Sequence, residues 1–109
     1  MTLHSNPVER FKVQAQERKA FYQDMSEMKK SFEQSWNEKR SNLLEKQRAE
    51  RKAFQSESHS LEERKEFYSK QRDAMLELRQ ERKQATKDLQ MTLKQKRRDF
   101  YKNLKASQS

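Results

Sequence analysis

The chain has no cysteine and no glycine, a single proline at position 7, and only two histidines, His4 and His59. Without cysteine there is no disulfide framework and no thiolate to act as metal ligand or nucleophile. Without glycine the chain lacks the residue that turns tightly through positive φ, which disfavours the two-residue hairpins of a β-sheet and removes any Gly-rich phosphate loop. Two histidines far apart in sequence cannot build a metal shell or a nucleophile–base pair. No enzyme activity, cofactor, metal or small-molecule substrate is therefore expected. No apolar run exceeds three residues (Ala20-Phe21-Tyr22), far short of the roughly 20 that a membrane-spanning helix needs. The expectation is a cytoplasmic protein with no membrane segment.

What the chain does contain is charge, 39% of its residues, mostly Glu, Lys and Arg, which with the abundant Gln are strong helix formers. Large apolar residues punctuate this background at intervals of 11: Phe21, Phe32, Leu43 and Phe54 in the first half, Phe67, Leu78, Leu89 and Phe100 in the second. Eleven residues make three turns of a nearly straight helix at about 3.67 residues per turn. The two series are mirror images. Phe21 and Phe100, Phe32 and Leu89, Leu43 and Leu78, and Phe54 and Phe67 each have numbers that sum to 121, as facing residues of two antiparallel helices must if the chain bends near residues 60 and 61.

Taking the first, fifth and eighth position of each repeat adds Met25, Met28, Trp36, Lys39, Gln47 and Glu50 to one stripe, and Gln71, Ala74, Arg82, Ala85, Leu93 and Lys96 to the other. Fourteen of these twenty positions are apolar, enough for a continuous seam. The same sum pairs Gln47 with Ala74, Glu50 with Gln71, Tyr68 with Ala53, and Tyr101 with Ala20. It also sets Lys39 against Arg82, a like-charge layer that should be weak.

The predicted fold is thus all-α, a long antiparallel helical hairpin resembling a coiled coil with 11-residue repeats. A single extended helix of about 150 Å, at 1.5 Å per residue, is the alternative. Asn6, Pro7 and Glu9 have the order of an N-cap, a first-turn proline and an acidic third position, and Ser60-Leu61-Glu62-Glu63 has the spacing of a capping box. The organisation read from these signals is a tail at 1–6, a helix at 7–56, a turn at 57–60, a helix at 61–105 and a tail at 106–109. Two helices bury one stripe each, so stability is expected to draw on a protein partner or self-association.

The net charge of +9 is uneven: residues 94–109 hold six basic side chains against one acidic. In a hairpin Lys94, Lys96, Arg97, Arg98 and Lys102 would lie beside Arg18 and Lys19, a basic pole suited to an acidic partner or to the backbone of DNA or RNA. Outside the seam, Tyr22, Leu44, Leu76 and Met91 are the candidates for contact with a protein. Together these features predict a basic, non-enzymatic interaction protein serving as scaffold, adaptor or regulator, with nucleic-acid backbone binding as the alternative.

The segment Asn6-Pro7-Val8-Glu9-Arg10-Phe11 through Gln16-Glu17-Arg18-Lys19-Ala20, and again Gln47-Arg48-Ala49-Glu50-Arg51-Lys52-Ala53, resembles the Arg/Gln/Ala-rich helical tails that follow the nicking domain in MobA-like plasmid mobilisation relaxases. The histidine cluster of the nicking domain is absent, so nicking is not carried over. That resemblance implies a plasmid or phage setting and a DNA-associated helical scaffold. The chain is also similar to the FliJ-type stalks of bacterial secretion systems, helical hairpins of comparable size that act by inserting into a ring.

Overall fold

A chain rich in Glu, Lys, Arg and Gln and free of glycine stays helical until side chains stop it. The computed structural model describes residues 7–108, in which α1 (Pro7–Gln55) and α2 (Leu61–Gln108) form an all-α helical hairpin. The single uninterrupted helix is excluded. Glu9 lies in the first turn of α1 and Lys52 in its last, and α2 opens with Glu62 and Glu63 and closes with Lys105, charges that complement the helix dipoles. Neither helix is long and apolar enough to cross a membrane.

Residues 56–60 reverse the chain without any positive φ among the described residues. Instead, the free carbonyls at the end of α1 are taken up locally. The Ser56 amide and hydroxyl both donate to the Ala53 carbonyl, at 3.3 and 2.6 Å, and the Glu57 amide donates to that of Phe54 at 3.4 Å. His59 then reaches back, donating from Nε2 to the Phe54 carbonyl at 2.8 Å while its ring stacks on the Phe54 ring at 3.8 Å. Its Nδ1 lies 3.0 Å from Glu63 Oε2. A carbonyl can only accept, so Nε2 carries the hydrogen of the Phe54 contact. On the α2 side the capping box closes in both directions: the Glu63 amide donates to Ser60 Oγ at 3.1 Å, and the Ser60 amide to Glu63 Oε1 at 3.4 Å.

The helix limits differ from the sequence reading at two points. α1 ends at Gln55, one residue early, because Ser56 caps it. α2 continues past residue 105 to Gln108, since neither glycine nor proline interrupts that stretch and Ser107 Oγ donates to the Leu104 carbonyl at 2.8 Å. The tail read at 1–6, with Asn6 as cap, lies outside the described residues, as does Ser109.

The chain divides into two compact units, Met1–Phe32 with Leu89–Ser109, and Glu33–Asp88. In the first, Met25, Leu93 and Leu104 are buried and the Phe21 and Phe100 rings stack at 4.2 Å. In the second, Trp36 is buried and Phe54 stacks on Phe67 at 4.0 Å. All fourteen apolar seam positions are buried or half-buried. The polar ones divide. Lys39, Glu50 and Lys96 are exposed, and Lys39 escapes the expected clash with Arg82 by lying over the Trp36 ring, 4.1 Å from its centroid.

Gln47 and Gln71 remain inside, 5% and 8% exposed, and they bond each other, a pairing the constant sum did not give. Gln47 Nε2 donates to the Gln71 carbonyl at 2.8 Å and Gln71 Nε2 to the Gln47 carbonyl at 3.0 Å, while Arg51 Nη1 donates to Gln71 Oε1 at 3.3 Å. No buried side-chain nitrogen or oxygen lacks a partner among the described residues. The tyrosine hydroxyls find polar partners at the seam edge. Tyr101 bonds the Tyr22 hydroxyl, and the Tyr68 hydroxyl accepts from Gln55 Nε2 at 3.2 Å.

Two consequences follow for stability. Trp36→Ala should lower the unfolding free energy by about 3–5 kcal/mol, whereas Lys39→Ala should cost no more than about 1 kcal/mol, the worth of an exposed cation–π contact; urea melts measure both. The Glu63 carboxyl is held below its ordinary value chiefly by its hydrogen bond to His59, and then by those to Ser60. A depressed carboxylate pKa adds stability above the unfolded-state value, and that contribution disappears as pH falls through the folded-state value. The difference in melting temperature between the wild type and Glu63→Ala should accordingly be greatest near neutrality and shrink on acidification below the usual glutamate range.

Candidate functional site

The first unit carries the basic pole. Lys19, Lys94, Lys96, Arg97, Arg98 and Lys102 are exposed and Arg18 is half-buried. Spacing along α2 sorts them further: Lys94, Arg98 and Lys102 follow at four-residue intervals and share a face, with Met91 at its head, whereas Lys96 lies about 200° round the helix from Lys94. Lys96 therefore does not join that line. Asp99, the single acid of the stretch, accepts from Gln95 Nε2 at 3.0 Å and neutralises none of the line's cations.

Beside this line Tyr22 and Tyr101 share a hydroxyl–hydroxyl bond, with Arg18 and Arg97 both near enough to act on the Tyr22 phenol. Tyr22, expected to face a partner, is exposed yet already engaged across the hairpin. Met91, 70% exposed, is the freest large apolar side chain of the sequence-predicted set.

The second unit holds a feature that the sequence reading missed. A groove of about 690 Å³ runs along α2 from Arg64 to Arg79, floored by Tyr68, Met75 and Leu76 and closed on the α1 side by Gln47 and Arg51. Met75 and Arg79 also line a further 230 Å³ beside Trp36, Leu78 and Arg82. Lys65 and Arg72 complete the rim of the larger groove, and no acidic residue borders it. Leu76 lies within it, 52% exposed, and Leu44 is exposed on α1.

Counting charges along the chain hides this arrangement, because residues 55–93 hold eight basic and eight acidic side chains. Sorting them by helix face reveals it. At about 100° per residue, Arg64, Lys65, Arg72 and Arg79 fall in one sector with Tyr68, Met75 and Leu76. Glu62, Glu66, Asp73 and Glu77 fall in another. Lys70, the cation among those acids, is paired with Glu66 at 3.2 Å, while none of the groove cations forms an ion pair among the described residues. Leu104 was missed as well, and continuing the 11-residue count one step beyond Phe100 would have found it.

Among the described residues no group of three or more His, Asp or Glu side chains is placed to hold a metal ion. The chain matches no protein-family model, no curated protein and no solved structure. The likeness to relaxase tails rests on the residues quoted for it, and that to secretion stalks on the size and hairpin form of the chain.

The tyrosine pair has a measurable signature. The Tyr22 phenol is raised above its ordinary value mainly by its hydrogen bond to Tyr101, so the bond stabilises the fold below the unfolded-state tyrosine value and is lost as pH rises through the raised one. Phenolate absorbance should show one tyrosine ionising late in the wild type, and Tyr101→Phe should return it toward the ordinary range.

Proposed function

We propose that this is a non-enzymatic, cytoplasmic, basic helical docking protein that engages a protein partner or nucleoprotein complex as scaffold, adaptor or regulator. The observation that carries this reading is incomplete burial: each unit packs only one stripe per helix, no large side chain among the described residues is fully buried, and Leu44, Leu76 and Met91 stay exposed beside cations. Large apolar side chains grouped with arginine are the composition of binding surfaces.

A second reading is favoured by the unneutralised line of Lys94, Arg98 and Lys102 in the first unit. In it the protein grips a DNA or RNA backbone, as an accessory protein of the plasmid or phage kind that the mobilisation resemblance implies. Spaced cations without base-reading side chains suit phosphates and carry no sequence preference.

Salt separates the two. At about 1 M salt, where charges are screened beyond about 3 Å, a partner held by apolar contact should remain bound in stoichiometric amount and be released when Leu44→Ser, Leu76→Ser and Met91→Ser are combined. A chain that retains no protein under these conditions contradicts the docking reading. For nucleic acid, Arg98→Gln with Lys102→Gln should weaken binding and reduce the slope of log K against log salt by about 0.9 per lost contact on duplex DNA, or about 0.7 on single strands. Absence of binding by the wild type at about 50 mM salt, where such contacts are strongest, ends that reading.

A further inference from the structure

We propose that the groove of the second unit is the seat of an acidic, amphipathic helix from a partner protein. The inference rests on the docking reading above and names the partner's chemistry.

Three observations commit the groove to that occupant. The first is charge: the rim formed by Arg51, Arg64, Lys65, Arg72 and Arg79 meets no carboxylate in the groove, although four acids lie in the neighbouring sector of the same helix. Cations gathered on one side of a helix and left without ion pairs complement an anionic ligand. The second is the floor. Tyr68, Met75 and Leu76 give an apolar strip that phosphates and sugars would leave uncovered but a stripe of leucines would fill, with methionine adapting to the contact. The third is length. From Arg64 to Arg79 α2 advances about 22 Å at 1.5 Å per residue, four turns of an occupying helix. Such a helix would insert apolar residues at i, i+4 and i+7 between α1 and α2 and set its acids against both rims, the helix-in-groove mode of recognition.

A second copy of this chain does not fit. Each copy carries +9, and over residues 62–77 the acidic sector holding Glu62, Glu66, Asp73 and Glu77 contains no large apolar side chain to fill the floor.

The probe is a synthetic, fluorophore-labelled amphipathic peptide of about 18 residues with a leucine stripe flanked by glutamates, long enough for the four turns at 1.5 Å per residue, beside a control in which every Glu is Gln. Fluorescence anisotropy on the full chain should show the acidic peptide binding about tenfold or more tightly than the control. Arg72→Gln with Arg79→Gln, and separately Leu76→Ser, should each weaken it by about tenfold, the effect of 1.4 kcal/mol. Arg97→Gln with Arg98→Gln removes the same charge from the first unit and should leave binding within about twofold, less than 0.5 kcal/mol. These groove and pole side chains are exposed, so circular dichroism should confirm unchanged helicity, and methyl shifts of Met75 in the wild type should move on titration with peptide.

Equal loss in the groove and pole variants would reveal diffuse attraction to a basic chain and overturn the assignment. So would equal affinity for the two peptides, or a duplex DNA probe that loses affinity with the groove variant while the peptide does not. A salt-resistant protein partner that binds the groove variants as well as the wild type would leave docking intact and refute the groove alone. Absence of any such partner together with no peptide binding would refute both.

Discussion

The register between α1 and α2 is the constraint on which everything else in this protein depends, and it is established where the chain reverses. Phe54 and Phe67 stack face to face across the hairpin, and His59 covers the other face of Phe54 while bonding its carbonyl and the Glu63 carboxylate. A turn built on glycine would leave several registers open through its flexibility. This one is held by side chains that must each find a particular partner, so a shift of one residue would break the capping box, the carbonyl contacts and the aromatic stack together.

Within the second unit the register is reinforced by the buried Gln47 and Gln71. Each amide donates to the other's backbone carbonyl, and Arg51 takes the remaining oxygen of Gln71. An apolar pair would slide at little cost. A reciprocal amide pair removed from water cannot, because a displaced amide leaves donors and acceptors unpaired at about 1–3 kcal/mol each. Specificity here comes from a polar layer in an otherwise apolar seam, the device by which coiled coils select alignment.

A seam that occupies one stripe per helix leaves the remaining faces free to differ. In the first unit they carry a line of cations next to a tyrosine pair. In the second they separate positive from negative charge around α2, leaving an apolar floor between basic rims. A protein whose own core is so slight gains from each apolar face covered by something else, which ties its stability to occupancy of its binding surfaces.

Much of the architecture was legible in the sequence because helix geometry converts spacing directly into position. The 11-residue recurrence located all fourteen apolar seam residues, the constant sum placed Phe21 on Phe100 and Phe54 on Phe67, and Ser60 with Glu63 announced the start of α2. The polar partners were not legible. The reciprocal bond of Gln47 with Gln71 and that of Tyr101 with Tyr22 had no signal in the spacing, Lys39 turned out over Trp36, and the groove cations were concealed in a balanced charge count. Periodicity assigns a residue to a face of its own helix. Which hydrogen bond a side chain makes, and which cations converge on a common groove, depends on the other helix, because long polar side chains reach across several registers and settle only when both backbones are in place.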